Sequence, residues 1–215
     1  MKPHKHNAAK SQFTDILGTR SRSISEASCG KCLGEFARSG IVKEMIFRFS
    51  QKLATKLKAG KLESLPADGN PYADWSCHLF TADRTQYIIL MNTASFYSCV
   101  MFGRGITDDS AFIARALDTI RDFTADDGKQ FIYRKFIAPS SGTVSFAKAL
   151  NRSVTGSMND HIHTAKLMLE DDMAPSDVGY RLNETPMSAL NGPDGRKYGY
   201  PKEVFSNLVD RMDNE

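Results

Sequence analysis

The chain has 215 residues, of which 41% are hydrophobic and 25% charged, and this composition is typical of a globular domain rather than a disordered or fibrous protein. The formal net charge is +3, but residues 1–44 carry eight Lys and Arg against four Asp and Glu, so the remainder is close to neutral. The whole-chain charge is therefore a poor argument for nucleic-acid binding.

The sequence contains no apolar run long enough to span a bilayer, and its N-terminus lacks the apolar core of a signal peptide. We therefore expect no membrane partner. Four cysteines in a chain without a secretory signal predict reduced thiols in a cytoplasmic protein.

Residues 1–44 differ in character from the rest of the chain. Residues 2–6 and 19–23 are polar and basic, so we predict a basic N-terminal extension that is largely disordered or weakly helical. Domain-like sequence follows at once, and Met45 could be the true start, which would make residues 1–44 a non-native upstream extension. We expect a single globular α+β domain over residues 45–212.

Cys29 and Cys32 form a C-x-x-C pair, which is half of a zinc site or a redox motif. No second pair accompanies it, and no β-α-β pattern surrounds it. We interpret both residues as exposed, incidental thiols and expect no metal and no cofactor, with zinc binding as the alternative.

Regular strand and helix patterns begin at Met45. Residues 46–49 alternate like a short strand, and Ser50 can cap a helix that Gly60 ends. Lysines occupy the other side of this helix and its C-terminal turn: Lys52, Lys56, Lys58 and Lys61. We interpret them as a solvated face, with a nucleic-acid stripe as the alternative.

Three strands are predicted next, over residues 75–82, 86–92 and 95–102, and the short connections between them favour antiparallel hairpins. We interpret His78 as a structural histidine rather than a ligand. Cys77 and Cys99 are expected to be core thiols, because free cysteine packs like a small hydrophobe.

The second half of the chain alternates helical and strand patterns. Asp108 can cap an amphipathic helix that stops at 126–128, residues 130–137 alternate like a fourth long strand, and 146–150 suggest a short helical turn. The secondary structure of residues 178–186 is not predicted by their pattern. Residues 191–195 are predicted to form a surface turn. Pro201 can open a last helix that runs towards Met212.

Residues 151–160 are the densest polar stretch of the chain. They read as a polar turn that leads into a helix, with Ser157 and Asp160 at capping-box spacing. Met158, Ile162, Ala165 and Leu169 would then form its apolar face. Together these elements predict an α+β fold with a mostly antiparallel sheet of about four to five strands and about three to four packing helices.

The motif Asn151-Arg152-Ser153-Val154-x-Gly156-Ser157-Met158-Asn159-Asp160 resembles the signature of an uncharacterised bacterial family, a domain of unknown function. Weaker matches are Phe47-x-x-Ser50-x-Lys52-Leu53, Asp74-Trp75, Asn92 and Arg181-Leu182-Asn183-Glu184-Thr185-Pro186. The resemblance covers about residues 45–209 and leaves the N-terminal extension outside. It implies a small α+β domain of bacteria, phages or plasmids, and it implies no reaction.

Three roles are open for this motif. Its polar residues can stabilise the turn through bonds to their own backbone. They can instead bind a phosphate or carboxylate at a helix N-terminus. The candidate residues for this anion site are Asn151, Arg152, Ser153, Ser157, Asn159 and Asp160.

Catalysis is the third role, with Ser153 or Ser157 as nucleophile and His161 as base, but serine and histidine four apart on one helix have poor mutual geometry. Our best hypothesis is a non-enzymatic binding or interaction module of bacterial, phage or plasmid origin, with a protein or nucleic-acid partner. The alternative is a small hydrolase or nuclease-like enzyme centred on the same motif.

Overall fold

A computed structural model describes residues 44–191 and 196–209. Cys29, Cys32 and nearly all of the predicted N-terminal extension lie outside these ranges, as do residues 192–195 of the predicted surface turn. The described strands are β1 (Met45–Phe49), β2 (Asp74–Ala82), β3 (Thr85–Asn92), β4 (Ser98–Phe102) and β5 (Val144–Lys148). The described helices are α1 (Gln51–Leu57), α2 (Asp109–Asp126), α3 (Gln130–Ile132), α4 (Arg152–Glu170), α5 (Pro175–Asn183) and α6 (Pro201–Ser206).

The five strands form one sheet in the order β4-β3-β2-β1-β5. β2 and β3 are antiparallel and so are β3 and β4, whereas β1 is parallel to both of its neighbours, β2 and β5. The predicted α+β class is confirmed, and the sheet is mixed rather than purely antiparallel. The predicted β2–β3 hairpin is also present, with Asp83 and Arg84 in the left-handed region that a tight two-residue turn requires.

Two predicted elements are wrong. Residues 130–137 form no strand; they continue from α3 into a π-helical turn, Tyr133–Ile137. Ile132, Tyr133, Phe136 and Ile137 also fit helical spacing and face the core, whereas Phe131 is 65% exposed. The helical turn predicted at 146–150 is replaced by β5, whose pairing with β1 is a tertiary contact that local sequence does not encode.

Smaller differences concern element ends. β4 begins at Ser98, three residues later than predicted, and α1 ends at Leu57, where Lys58 adopts the left-handed conformation expected of Gly60. Residues 178–186, which had no clear class, contain most of α5.

Helices cover both faces of the sheet. On one face, Phe112 of α2 makes edge-to-face contacts with Phe47 and Phe49 of β1, at 5.2 and 5.0 Å between ring centroids. On the other face, α4 packs its apolar stripe over β2, and His161 contacts Ser98 of β4. Arg48 lies between Phe47 and Phe49 in sequence, so its side chain points to the α4 face.

Arg48 is buried at 1% exposure in the strand between β2 and β5, and it is paired with Asp74 at the start of β2. Nε and Nη2 of Arg48 donate to the two carboxylate oxygens of Asp74 at 2.7 and 2.6 Å. Nη1 and Nη2 also donate to the backbone oxygens of Leu65 and Pro66, at 2.9 and 2.6 Å. This two-point pairing ties the α1–β2 connection to the sheet, because the donors of a guanidinium lie in a rigid plane.

Gly179 of α5 is expected to be intolerant of substitution. A Cβ atom there would lie 2.7 Å from Cε2 of Phe123 and 3.3 Å from the backbone oxygen of Ser98. Phe123 is buried and stacked on Tyr180, so it has little room to move. We expect Gly179→Ala to lower the free energy of unfolding by about 1–3 kcal/mol, measured by urea denaturation.

Gly156 of α4 provides the matched control, because a Cβ atom there meets nothing within 4 Å among the described residues. Gly156→Ala should raise the free energy of unfolding by about 0.5–1 kcal/mol, since alanine favours helix. Equal effects of the two substitutions would contradict the close packing of α5.

Candidate functional site

The polar motif forms the first half of α4 rather than a turn. The side-chain oxygen of Asn151 accepts a hydrogen bond from the Val154 backbone N–H at 2.9 Å and so caps the helix. The predicted helix start at Ser157, with Asp160 as its capping-box partner, is wrong by about two turns. Asn is as good a cap as Ser, and Val154 extends the predicted apolar stripe back to this new start.

The structure places the six candidate residues on two sides of α4. Ser157 is buried, and the other five are exposed. Asn159 lines both a cleft and the groove beside it, and Asn151 lines the groove. Ser153, Ser157 and Asp160 line a recess on the opposite side of the helix. Arg152 borders both sides. The six residues therefore do not all line one cavity.

The larger of these cavities, the α1–α4 cleft, has a volume of about 690 Å³, which is in the range of small-molecule sites. It lies where β1 and β5 end, so Ser50 and Lys148 contribute from the carboxyl ends of two parallel strands. Ligands commonly bind at such strand ends in sheets that contain parallel strands. Asn159 of α4 lines the opposite wall.

Positive charge dominates the α1–α4 cleft. Lys58, Lys61 and Lys148 line it and are exposed, and no Asp or Glu is among the described residues that line it. Arg48 also lines the cleft, but its charge is balanced by Asp74. The cleft therefore presents a net positive field to a ligand.

Apolar side chains complete the α1–α4 cleft, among them Phe49, Leu62 and Met158. His78 of β2, which we interpreted as structural, also lines it. Its pKa is lowered from the usual range by burial, and then by the nearby charges of Lys52 and Lys166. A neutral His78 can accept or donate one hydrogen bond to a ligand.

A shallower outer groove of about 440 Å³ continues from the cleft along α4. Ala149, Thr155 and Asn159 line both the cleft and the groove, and Asn151 and Arg152 lie at the groove's far end. The polar motif thus contributes one long wall to a continuous surface, with a guanidinium at its outer end.

The α4 recess is a separate cavity of about 330 Å³ on the other side of the helix. It lies between the first half of α4 and the segment 182–189, and His161 is one of its lining residues. His161 is 3% exposed, and its Nδ1 lies 3.0 Å from Oγ of Ser98. Burial lowers its pKa to about 4.

Sequence reasoning missed the α1–α4 cleft. A strand, a helix and a second strand between residues 45 and 82 form a parallel unit, and recognising it would have directed attention to the strand ends. Lys58 and Lys61, which follow α1, were predicted to belong to a solvated face. Lys148 was not singled out, because β5 was not predicted.

Two further findings bear on the class of site. Within residues 44–191 and 196–209, no group of three or more His, Cys, Asp and Glu side chains is arranged to hold a metal ion. The helices in those same ranges are all too short or too polar to span a bilayer.

His161 makes stability depend on pH. Its folded pKa of about 4 lies below the ordinary 6.5, so the unfolded chain binds the proton more readily. The stabilisation is fully present above the unfolded pKa and is lost as pH falls towards the folded pKa. Between about pH 7 and about pH 5 we expect this group to account for a loss of about 2 kcal/mol in unfolding free energy.

His161→Gln should remove that part of the pH dependence, measured by urea denaturation at both pH values. His163→Gln is the matched control, since His163 is exposed on the same helix, and it should retain the loss seen in the native protein. An unchanged pH dependence in His161→Gln would contradict a buried, neutral imidazole.

Comparison with known proteins identifies a family for this sequence. No curated protein matches the chain. A family model described as a domain of unknown function, DUF6933, matches residues 46–204, which include every described strand except the first residue of β1 and run into α6. Because this match covers well over half of the sequence, the chain belongs to the DUF6933 family.

Proposed function

We propose that the domain is a non-enzymatic binding module that holds a small organic anion in the α1–α4 cleft. The observation that carries this proposal is the cluster of Lys58, Lys61 and Lys148 in a cleft whose described lining contains no carboxylate. Phosphate and carboxylate groups are the ligands that such a cluster attracts.

The rest of the lining supports an organic rather than an inorganic anion. Phe49, Leu62 and Met158 offer apolar surface for the body of the ligand, while the lysines take its charged group. Asn159 and Thr155 can orient it by hydrogen bonds. In this proposal the polar motif contributes through Asn159, and through Asn151 and Arg152 in the outer groove.

The enzyme alternative is less well supported. A hydrolase or nuclease centred on the motif would use His161 as base and Ser157 as nucleophile. Nδ1 of His161 is engaged by Ser98, and a pKa of about 4 makes the imidazole a weak base at neutral pH. These two features favour binding over catalysis at that position.

We also infer a bacterial, phage or plasmid origin from the motif at 151–160, and a cytoplasmic location. Cys77 and Cys99 are buried free thiols, which supports a reducing compartment. Burial raises the pKa of both, so neither is an activated thiolate.

Isothermal titration calorimetry with AMP, ribose 5-phosphate, citrate and inorganic phosphate tests the proposed cleft. The triple variant Lys58→Gln/Lys61→Gln/Lys148→Gln should bind the tightest of these probes about tenfold or more weakly, because each lysine supplies a charged contact. The control triple variant Arg104→Gln/Lys135→Gln/Lys197→Gln removes the same charge from exposed positions outside the cleft and should bind almost normally.

Equal weakening in both triple variants would show that only net charge matters, and failure of all four probes to bind the native protein would overturn the proposal. A nucleic-acid partner predicts a different outcome. In that case an oligonucleotide would bind more tightly than the small probes, with an affinity that falls steeply as salt is raised.

A further inference from the structure

His78 lies where the sheet opens into the α1–α4 cleft. β1 ends opposite Cys77, whereas β2 continues past that point, so His78 is the first residue of β2 beyond the end of β1. Side chains alternate between the two faces of a strand, which puts His78 on the same face as Ser76 and its neighbour Arg48, the face that α4 covers. The end of β1 therefore leaves this part of β2 open to the cleft.

The imidazole of His78 is available to a molecule in the cleft. Its side chain is partly exposed, and neither ring nitrogen makes a hydrogen bond to another described residue. Among the described side chains, the nitrogen that is both unpaired and completely buried is Nε2 of His161, so both ring nitrogens of His78 retain some accessible surface. His78 lines the α1–α4 cleft and does not line the outer groove or the α4 recess.

Two lysines act on His78 from the helices that pack against its strand. They are Lys52 of α1 and Lys166 of α4, and neither forms an ion pair with a described carboxylate. The cross-strand neighbour of His78 in β3 is the apolar Ile89. Burial lowers the pKa of His78, and the charges of the two lysines lower it further, so the imidazole is neutral at neutral pH in the free protein.

A bound anion acts on His78 in the opposite direction. Its negative charge offsets the charges of Lys52 and Lys166, and its oxygens accept hydrogen bonds. A protonated imidazole can donate from both ring nitrogens, whereas a neutral one can donate from a single nitrogen. An opposite charge within about 4–6 Å favours the charged form of such a group, typically by about tenfold or more.

The direction of the resulting pH dependence follows from linkage. A ligand that raises the pKa of a histidine binds more tightly at low pH, because the protonated protein is the form that it prefers. The gain in affinity is complete below the pKa of His78 in the free protein. It is lost as pH rises through the higher pKa of His78 in the complex.

We propose that His78 is a ligand-contacting residue of the anion site, and that it takes up a proton from the solvent when the anion binds. This inference rests on the proposed function, because it requires an anion in the α1–α4 cleft. The cleft then binds the anion and a proton together, and it holds the anion more tightly in mildly acidic than in mildly alkaline solution.

Isothermal titration calorimetry of the full chain at about pH 6 and about pH 8 tests this inference, with whichever of AMP, ribose 5-phosphate, citrate and inorganic phosphate binds most tightly. Repeating each titration in two buffers of different ionisation enthalpy gives the protons taken up per anion. His78→Gln keeps the lysines of the cleft, and protonation of the probe itself cancels in the comparison with this variant. From about pH 8 to about pH 6, the native protein should gain affinity by about threefold or more relative to His78→Gln.

His163→Gln is the matched control, because His163 is exposed on α4 and does not line the cleft. This variant should take up as many protons as the native protein. An NMR titration of the histidine rings in the native protein gives a readout that needs no variant. The pKa of His78 should be higher in the protein saturated with the probe than in the free protein, whereas the pKa of His163 should be the same in both.

The outcomes separate this inference from the proposed function. If no probe binds the native protein at either pH, the proposed function is overturned and this inference with it. If a probe binds but the pKa of His78 is the same in the free and the saturated protein, this inference alone is overturned. Equal proton uptake by the native protein and His78→Gln would have the same consequence.

Discussion

The buried ion pair between Arg48 and Asp74 is the constraint on which the rest of the structure depends. A guanidinium in the middle of a sheet is tolerated only when its charge and its donors are satisfied, because an unpaired buried charge costs several kcal/mol. Asp74 supplies the countercharge, and Leu65 and Pro66 accept further bonds. The pair therefore forces β1, β2 and the connection between them into one arrangement.

That arrangement has a direct effect on the α1–α4 cleft. The connection from α1 to β2 carries Lys61 and Leu62 on the cleft wall, and Leu65 and Pro66 follow them closely in sequence. Because Arg48 holds the backbone of Leu65 and Pro66, it also positions Lys61 and Leu62. Asp74 is further braced by the Thr93 hydroxyl at 2.8 Å and by the backbone N–H of Asp68 at 3.3 Å. The hydrogen-bonded frame around Arg48 thus ends where the α1–α4 cleft begins.

The residues that carry the family resemblance divide into structural and surface positions. Asn92 donates to the backbone oxygens of Pro71 and Asp74 and accepts two bonds from Ser95, so it shapes the β3–β4 turn. Asn183 pairs with the backbone of Ser98 as a neighbouring strand would, and so satisfies part of an edge strand. The first half of α4 differs, since it borders cavities on both sides.

Periodicity in the sequence was sufficient for elements whose faces are sharply divided. The β2–β3 hairpin follows from alternation, and α2 and the apolar face of α4 follow from helical spacing; the capping residue was predicted correctly for α2 alone of these two helices. Periodicity gave the wrong element at residues 131–137, where strand and helix patterns overlap. It also missed β5, which is a strand because it pairs with β1. Local sequence cannot distinguish such cases, since the deciding contacts are distant in the chain.

The six candidate residues lie in the first half of α4 or cap it, but their distribution around the helix was not predictable. Asn151, Arg152, Ser153, Ser157, Asn159 and Asp160 are close in sequence, so they suggested a single anion site. A helix distributes neighbouring residues around its axis, and the structure accordingly separates Asn159 from Ser157 and Asp160. The cleft and the buried state of His161 both depend on strands that lie far from the motif in sequence.

A double-mutant cycle on the Arg48–Asp74 pair tests the central claim most directly. The free energy of unfolding is measured for Arg48→Met, Asp74→Asn and the double variant, with the native protein as reference. Our account predicts that Arg48→Met alone is strongly destabilising, and that the two substitutions are coupled by about 2 kcal/mol or more because each leaves the other group unpaired. Additive effects, with a coupling energy near zero, would contradict the claim that this ion pair organises the sheet and the cleft beside it.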